Sequence, residues 1–370
     1  MTSPDAAAPP AADGSRPAPR TVLVTGATGY VGGRLIPRLL RDGHTVRAAV
    51  TDPARADDRW WRHDVELVTM DVLDPLTVES AAVGADAVYY LIHGLGGADF
   101  ADVDRRSATT MAEAATAARV ERIVYLGGLV PDVPEDELSE HIASRLEVER
   151  ILTGTGIRTL TLRAAVVTGS GSTSFEVVRQ ISERLPVHTV PRWMDSRVQP
   201  IAVTDVVEAL AGALPADVPS RSYDVGGPER MPYTALLDLY AEVAGLTRPQ
   251  VSVPGLPSDL VGTLAGTLAD VPGTTVQALV ESLQHDMVCR EADWAHDLLP
   301  SDHVLVGVEE SFRRALTDPD ESVPVPDRDL LGRLPGDPSW AGGQGGGVAS
   351  ALAGTRAVVT GLAGRLLPGG

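Results

Sequence analysis

Residues 21–40, TVLVTGATGYVGGRLIPRLL, constrain this chain more than any other stretch. Residues 21–25 form a short apolar, β-branched run that reads as a buried strand. The run breaks into glycines at Gly26, Gly29 and Gly32, and the apolar positions Val31, Leu35, Leu39 and Leu40 then predict a helix. Strand, glycine turn and helix start make a phosphate cradle. Glycines let the backbone turn tightly and approach a pyrophosphate, and the helix start offers free N–H groups and a positive dipole end. A glycine spacing alone is a weak sign; its place between strand and helix gives it weight.

The wording of the loop adds a resemblance. TGATGYVGGRL, residues 25–35, resembles the TGATGxxG loop of short-chain dehydrogenase/reductases of the extended and atypical kinds. The resemblance implies an NAD(P)-binding Rossmann-type fold, with Gly26, Thr28, Gly29, Tyr30, Val31 and Gly32 as loop contacts to the cofactor.

Composition narrows the partners. A net charge of −19 argues against nucleic acid and anionic membranes, both of which need a basic surface. All 31 basic residues are arginine, so no lysine is present to relay protons, form a Schiff base or bind phosphate. A lone cysteine, Cys289, excludes an intramolecular disulfide and fits a reducing compartment. Residues 1–19 are Ala/Pro-rich, with neither the basic start nor the apolar core of a signal peptide. No uncharged apolar run reaches the ~18 residues of a membrane span. A cytoplasmic location is expected.

Strand and helix patterns alternate from residue 20. Strands are predicted at 44–50, 65–70, 87–92, 122–126 and 158–167, with helices at 102–118 and 139–152 between the later ones. Such alternation predicts an α/β fold, a doubly wound parallel sheet with helices on both faces, whose ligands bind beyond the carboxyl ends of the strands. A Gly/Ser loop at 169–174 precedes a helix starting near Phe175, residues 197–206 return to strand and helix, and 222–228 reads as a last strand. Four regions are expected: a disordered tail (1–19), an NAD(P)-binding Rossmann domain (20–230), a small, mostly helical substrate-side subdomain (231–316) whose first helix covers 231–244, and a poorly ordered tail (317–370). Within that tail, residues 348–367 read as a terminal helix, either docked or available to a partner or membrane surface.

The strand ends supply the site candidates. Asp52 stands where a ribose carboxylate would fall, with Arg55 close by, although the Asp-Pro pair also suits a turn. NAD and NADP therefore both stay open. By resemblance Asp71 accepts the adenine amino group, Val72 lines the ring, and Leu91 and His93 pack the ribose and diphosphate. Active relatives follow the fifth strand with Ser or Thr and carry a YxxxK pair on the next helix. Here Gly127 and Gly128 take the hydroxyl's place, and His141 and Arg145 keep the spacing of the pair with both chemistries replaced. A histidine exchanges protons near neutrality, and an arginine holds a ribose hydroxyl. The alternative is one turn of polar helix surface. Gly169, Ser170 and Ser172 precede a helix and suit an anionic part of a substrate, against a plain connector with Ser174 as N-cap. His285 and Cys289 sit four apart on a predicted helix, but two ligands do not make a metal site, and none is expected.

YYLIHGL, RIVYLGGL, the HxxSR helix, LRAAVVTGSGSTSFE and QPIA together resemble a bacterial NmrA-like subgroup of atypical members, over roughly residues 21–316. SLQHDMVC and PGDPSWAGG extend it; in longer relatives the latter leads into a further domain, expected to be truncated here. The resemblance implies an oxidoreductase moving hydride between a nicotinamide cofactor and a small organic substrate. A non-catalytic dinucleotide-binding regulator or assembly factor is the second reading, favoured by the missing Tyr and Lys. An epimerase or dehydratase with retained cofactor is the third.

Overall fold

The computed structural model describes residues 18–94, 99–253 and 258–342. Strand and helix alternate as β1 (Thr21–Val24), α1 (Tyr30–Arg41), β2 (Thr45–Val50), β3 (Glu66–Thr69), α2 (Pro75–Ala82), β4 (Ala87–Tyr90), α3 (Phe100–Ala117), β5 (Arg122–Gly128), α4 (Glu140–Thr153) and β6 (Arg158–Ala164). Then come β7 (Val167–Thr168), α5 (Thr173–Arg184), β8 (His188–Pro191), β9 (Arg197–Val198), β10 (Ile201–Ala202), α6 (Val203–Ala213) and β11 (Arg221–Val225). The last stretch holds β12 (Met231–Pro232), α7 (Tyr233–Val243), β13 (Gln250–Val253), α8 (Ser258–Leu268), α9 (Gly273–Ser282), α10 (Asp293–Leu298) and α11 (Val308–Leu316).

Seven strands form one parallel sheet in the order β11-β6-β5-β4-β1-β2-β3. Alternation along β1 sends Val22 and Val24 to one face and Leu23 to the other. Val22 and Val24 pack with Leu35 and Leu39 of α1 and Val206 and Leu210 of α6. Leu23 packs with Val78 of α2, Met111 of α3 and Leu152 of α4. Both faces are covered, as an all-parallel sheet requires. This is the doubly wound Rossmann-type architecture. Strand order reverses between β1 and β4, which makes the crevice beyond their carboxyl ends the switch point for ligand binding.

Helix starts follow local chemistry. Asp74 caps α2 by accepting from the Leu76 N–H at 3.1 Å, with Pro75 at the first helical position. Ser139 caps α4 through the Ile142 N–H at 3.4 Å.

Several expectations are corrected. The strand expected to run to residue 167 stops at Ala164, and β7 leaves the main sheet to pair with β10. The helix expected from residue 231 starts at Tyr233, because Met231 and Pro232 pair antiparallel with β9. The region beyond adds one short strand to its helices, β13, which pairs in parallel with β8. His285 and Cys289 do not share a helix. α9 ends at Ser282, and the chain then runs extended beside β9: the Met287 N–H donates to Arg197 O at 2.7 Å and the Cys289 N–H to Gln199 Oε1 at 3.0 Å.

The largest correction concerns the segment from residue 317, which packs on the body as far as residue 342 instead of trailing as a loose tail. Leu331 and Ala341 are fully buried. Arg34 of α1 makes a bidentate pair with Asp337, both contacts 2.8 Å, and donates to Leu330 O at 2.8 Å and Gly332 O at 3.2 Å. Both side chains of the pair are 2% exposed. The saturated guanidinium is the physical reason the segment stays docked. Residues 1–17, and the terminal helix expected at 348–367, lie outside the described residues.

Candidate functional site

The site begins at the glycine loop. Gly26 has φ +66°, and a Cβ there would stand 2.9 Å from Leu91 O at the end of β4. A Cβ on Gly32 would stand 2.3 Å from Gly26 O. Only glycine lets the turn fold back on helix and strand this closely. The Gly29 N–H donates to Gly26 O at 2.9 Å, and Gly29 is the N-cap of α1, with no side chain capping the helix. Thr25 Oγ1 donates to Tyr89 O and accepts from the Leu91 N–H, both at 3.1 Å, which ties the loop to β4.

From this loop a cleft of about 250 Å³ extends across the sheet ends. It brings together Gly26, Gly29, Tyr30, Val31, Gly32, Leu91, His93, Gly127, His141, Arg145 and Ser172, all singled out from sequence. Thr28, Asp52, Arg55, Asp71, Val72, Gly169 and Ser170 are not among its lining residues. Asp52 caps a short turn through the Ala54 N–H at 3.0 Å, and Asp71 accepts from the Leu73 N–H at 2.9 Å, so one oxygen of each carboxylate is engaged locally. Arg55 donates to Thr51 Oγ1 at 3.4 Å, and Thr28 O accepts from Arg59 Nη2 at 2.8 Å. Ser170 is fully buried, its N–H donating to Leu331 O at 2.8 Å, and Gly169 faces Tyr30 and Leu331. The N-cap of α5 is Ser172, not Ser174.

Two glycines end β5, and Gly128 lies against Arg145 of α4. A Cβ on Gly127 would stand 3.0 Å from the Tyr125 ring, and one on Gly128 would stand 3.6 Å from Arg145 Cγ. Arg145 is 8% exposed, its Nε has no partner, and among the described residues no carboxylate pairs with it. His141 lies one turn before it, partly buried against Phe100 at 6.4 Å between ring centroids. Burial first, then the Arg145 charge, lowers the His141 pKa to about 3. His93 is exposed to cleft solvent yet ringed by protein; that crowding first, then Arg145 and His141, holds its pKa below the ordinary histidine value. Both imidazoles are therefore neutral near pH ~7, able to donate or accept one hydrogen bond per nitrogen.

Asp104 carries no motif in the sequence, yet it organises this end of the site. Its carboxylate accepts from the Gly94 N–H at 2.6 Å and from Ser144 Oγ at 3.1 Å, joining the loop after β4 to α4. Burial raises its pKa, opposed by those two hydrogen bonds and by Arg145. Its only sequence signal is an acid amid the apolar positions of an Ala-rich helix. Thr173 and Ser174, of the loop read from sequence as a site for an anionic group, also line the cleft, as do Tyr233 and Ser282, which were not singled out.

Comparison with known proteins follows the same outline. Residues 26–194 match a family model described as NAD(P)H-binding. A ceramide reductase of Caulobacter vibrioides is 33% identical over 195 residues, 51% of this chain and 59% of that protein. An uncharacterised protein of Mycobacterium tuberculosis is 28% identical over 232 residues, 63% of this chain and 24% of that protein. The chain thus spans well under two thirds of the length of these relatives. The NADP(H) complex of a Citrobacter sp. triphenylmethane reductase superposes with a TM-score of 0.62 at 19% identity, covering 80% of this chain and 99% of that one.

Proposed function

We propose that the chain is an oxidoreductase of the atypical short-chain dehydrogenase/reductase, NmrA-like group, a reading supported by the NAD(P)H-binding match over residues 26–194 and the shared fold. It moves hydride between the nicotinamide of NAD(P)(H) and a small organic substrate. The supporting observation is the continuity of the cleft from the glycine loop to the His141–Arg145 pair. Gly26, Gly29, Gly32, Tyr30 and Val31 hold the diphosphate at the start of α1, where free N–H groups and the helix dipole favour an anion. Leu91, His93 and Gly127 flank the ribose and nicotinamide. Arg145, buried and with no direct ion pair among the described residues, holds the nicotinamide ribose.

His141 acts from its neutral form. A proton donor poised at neutrality needs a pKa near the working pH, and burial beside Arg145 moves this one the other way. A neutral imidazole N–H still polarises a substrate carbonyl by hydrogen bonding. A bound diphosphate adds negative charge that raises the imidazole pKa again.

NADP(H) is the preferred cofactor. One oxygen of the Asp52 carboxylate is engaged at the turn, while Arg55 and Arg59 follow it closely, Arg59 reaching the glycine loop at Thr28 O. NADPH should bind about tenfold tighter than NADH, and Arg59→Met should erase most of the difference. A ratio near one in the parent protein would sink this preference.

A non-catalytic, cofactor-binding regulator is the second reading. Gly127 in the hydroxyl position and the low His141 pKa favour it. Turnover of NADPH across a panel of carbonyl and alkene substrates separates the two. Consumption that drops in His141→Gln supports the oxidoreductase; tight binding with no consumption supports the regulator.

A further inference from the structure

We propose that the first turn of α5, together with Arg145, binds an anionic group on the substrate, a carboxylate or phosphate ester. The proposal rests on the cleft being an NAD(P)(H) site and adds the chemical class of what binds beside the cofactor.

The first observation is a helix start left open toward the cleft. Ser172 is the N-cap of the 12-residue α5, but its hydroxyl donates to Val167 O at 2.5 Å and caps nothing. Among the described residues no acceptor meets the Thr173 and Ser174 N–H groups. Ser172, Thr173 and Ser174 all line the cleft. The first-turn acid Glu176 does not fill the place. It is fully buried and turned toward the docked C-terminal segment, accepting from Gly171 N at 3.0 Å, Gly342 N at 3.1 Å and Arg179 Nε at 2.7 Å.

The second observation is Arg145, a cation 8% exposed that lines the same cleft and whose buried Nε has no partner. Asp104 feels its charge, but among the described residues no carboxylate pairs with it directly, and a guanidinium has five donors, more than one ribose uses. The third is the lining itself. In a chain with 50 acidic and 31 basic residues, no Asp or Glu among the described residues lines this cleft. The walls between these donors are Ala165, Val166, Tyr233 and Met287, which suit an apolar body carrying a single anionic end.

An anion here has two sources, the substrate or the cofactor's own diphosphate, and titration of the NADPH-saturated full chain distinguishes them. Inorganic phosphate and sodium acetate are added separately, with sodium chloride at matched ionic strength as control, while heat and bound-cofactor fluorescence are followed. Saturable phosphate or acetate binding is expected, weakened about tenfold by Thr173→Pro. That variant removes one N–H at a position where helices accept proline, and Ser172 (φ −69°, ψ 130°) already has the backbone a following proline requires. Arg145→Met should weaken the anion at least as much, with its NADPH affinity measured alongside.

Displacement of NADPH by phosphate would assign the helix start to the cofactor's diphosphate and overturn the proposal. Anion binding indifferent to Thr173→Pro, or none above chloride, would do the same. Failure of NADPH itself to bind is a different result: it removes the reading of the cleft, and this proposal with it.

Discussion

His141 shows how a single residue's surroundings decide its chemistry. Its folded pKa of about 3 lies below the ordinary 6.5, so the unfolded chain takes up the proton first as pH falls. Its contribution to stability is whole above pH ~6.5 and is lost progressively toward pH ~3. His141→Gln should therefore flatten the fall in Tm between pH ~6.5 and ~4, read by calorimetry. An equally steep fall in the variant would mean the imidazole is not held neutral. Gly32 is the other decisive residue. A Cβ 2.3 Å from Gly26 O forces the loop open, so Gly32→Ala should weaken NADPH binding at least ~100-fold while the fold persists. Near-parent affinity in a folded variant would place the diphosphate elsewhere. The glycines were legible because their spacing and flanks carry the geometry. Asp104 was not, since its role depends on α3 and α4 meeting the loop after β4, a contact between residues 10 and 40 positions apart.

At the scale of elements, periodicity disclosed the alternating strands and helices, and hence the parallel sheet and its switch point. Short elements escaped. β12 has only two residues, too few to show a period, and β13 falls outside the strand–helix alternation; they pair with β9 and β8. The segment after residue 317 reads as loop by its Asp, Pro and Gly content, and it is loop. What composition hides is that Arg34, 303 residues away from Asp337, binds it. That pair also reaches the site: Arg34 Nη2 donates to Ser170 O at 3.0 Å, its guanidinium stacks 4.1 Å from the Tyr30 ring centre, and Tyr30 lines the cleft. Removing one partner of a buried pair costs about 3–5 kcal/mol, so Asp337→Ala should lower stability by that amount in denaturant titration. A loss under ~1 kcal/mol, the value of an exposed pair, would mean the segment does not stay docked.

For the whole molecule, charge and shape divide the labour. In a chain of net charge −19, the charged and histidine side chains lining the cleft among the described residues are Arg145, His93 and His141, so it is the place where an anionic ligand meets a cation. Among the described residues no helix is long and apolar enough to cross a membrane. The central claim is that this cleft holds a dinucleotide from the glycine loop to Arg145. The most direct measurement is titration of the purified chain with NADPH, following cofactor fluorescence, beside a Gly29→Asp variant that puts a carboxylate at the start of α1. Saturable binding by the parent protein, abolished in a variant that still folds, is the expected result. No binding by the parent, or binding that survives Gly29→Asp, would contradict it.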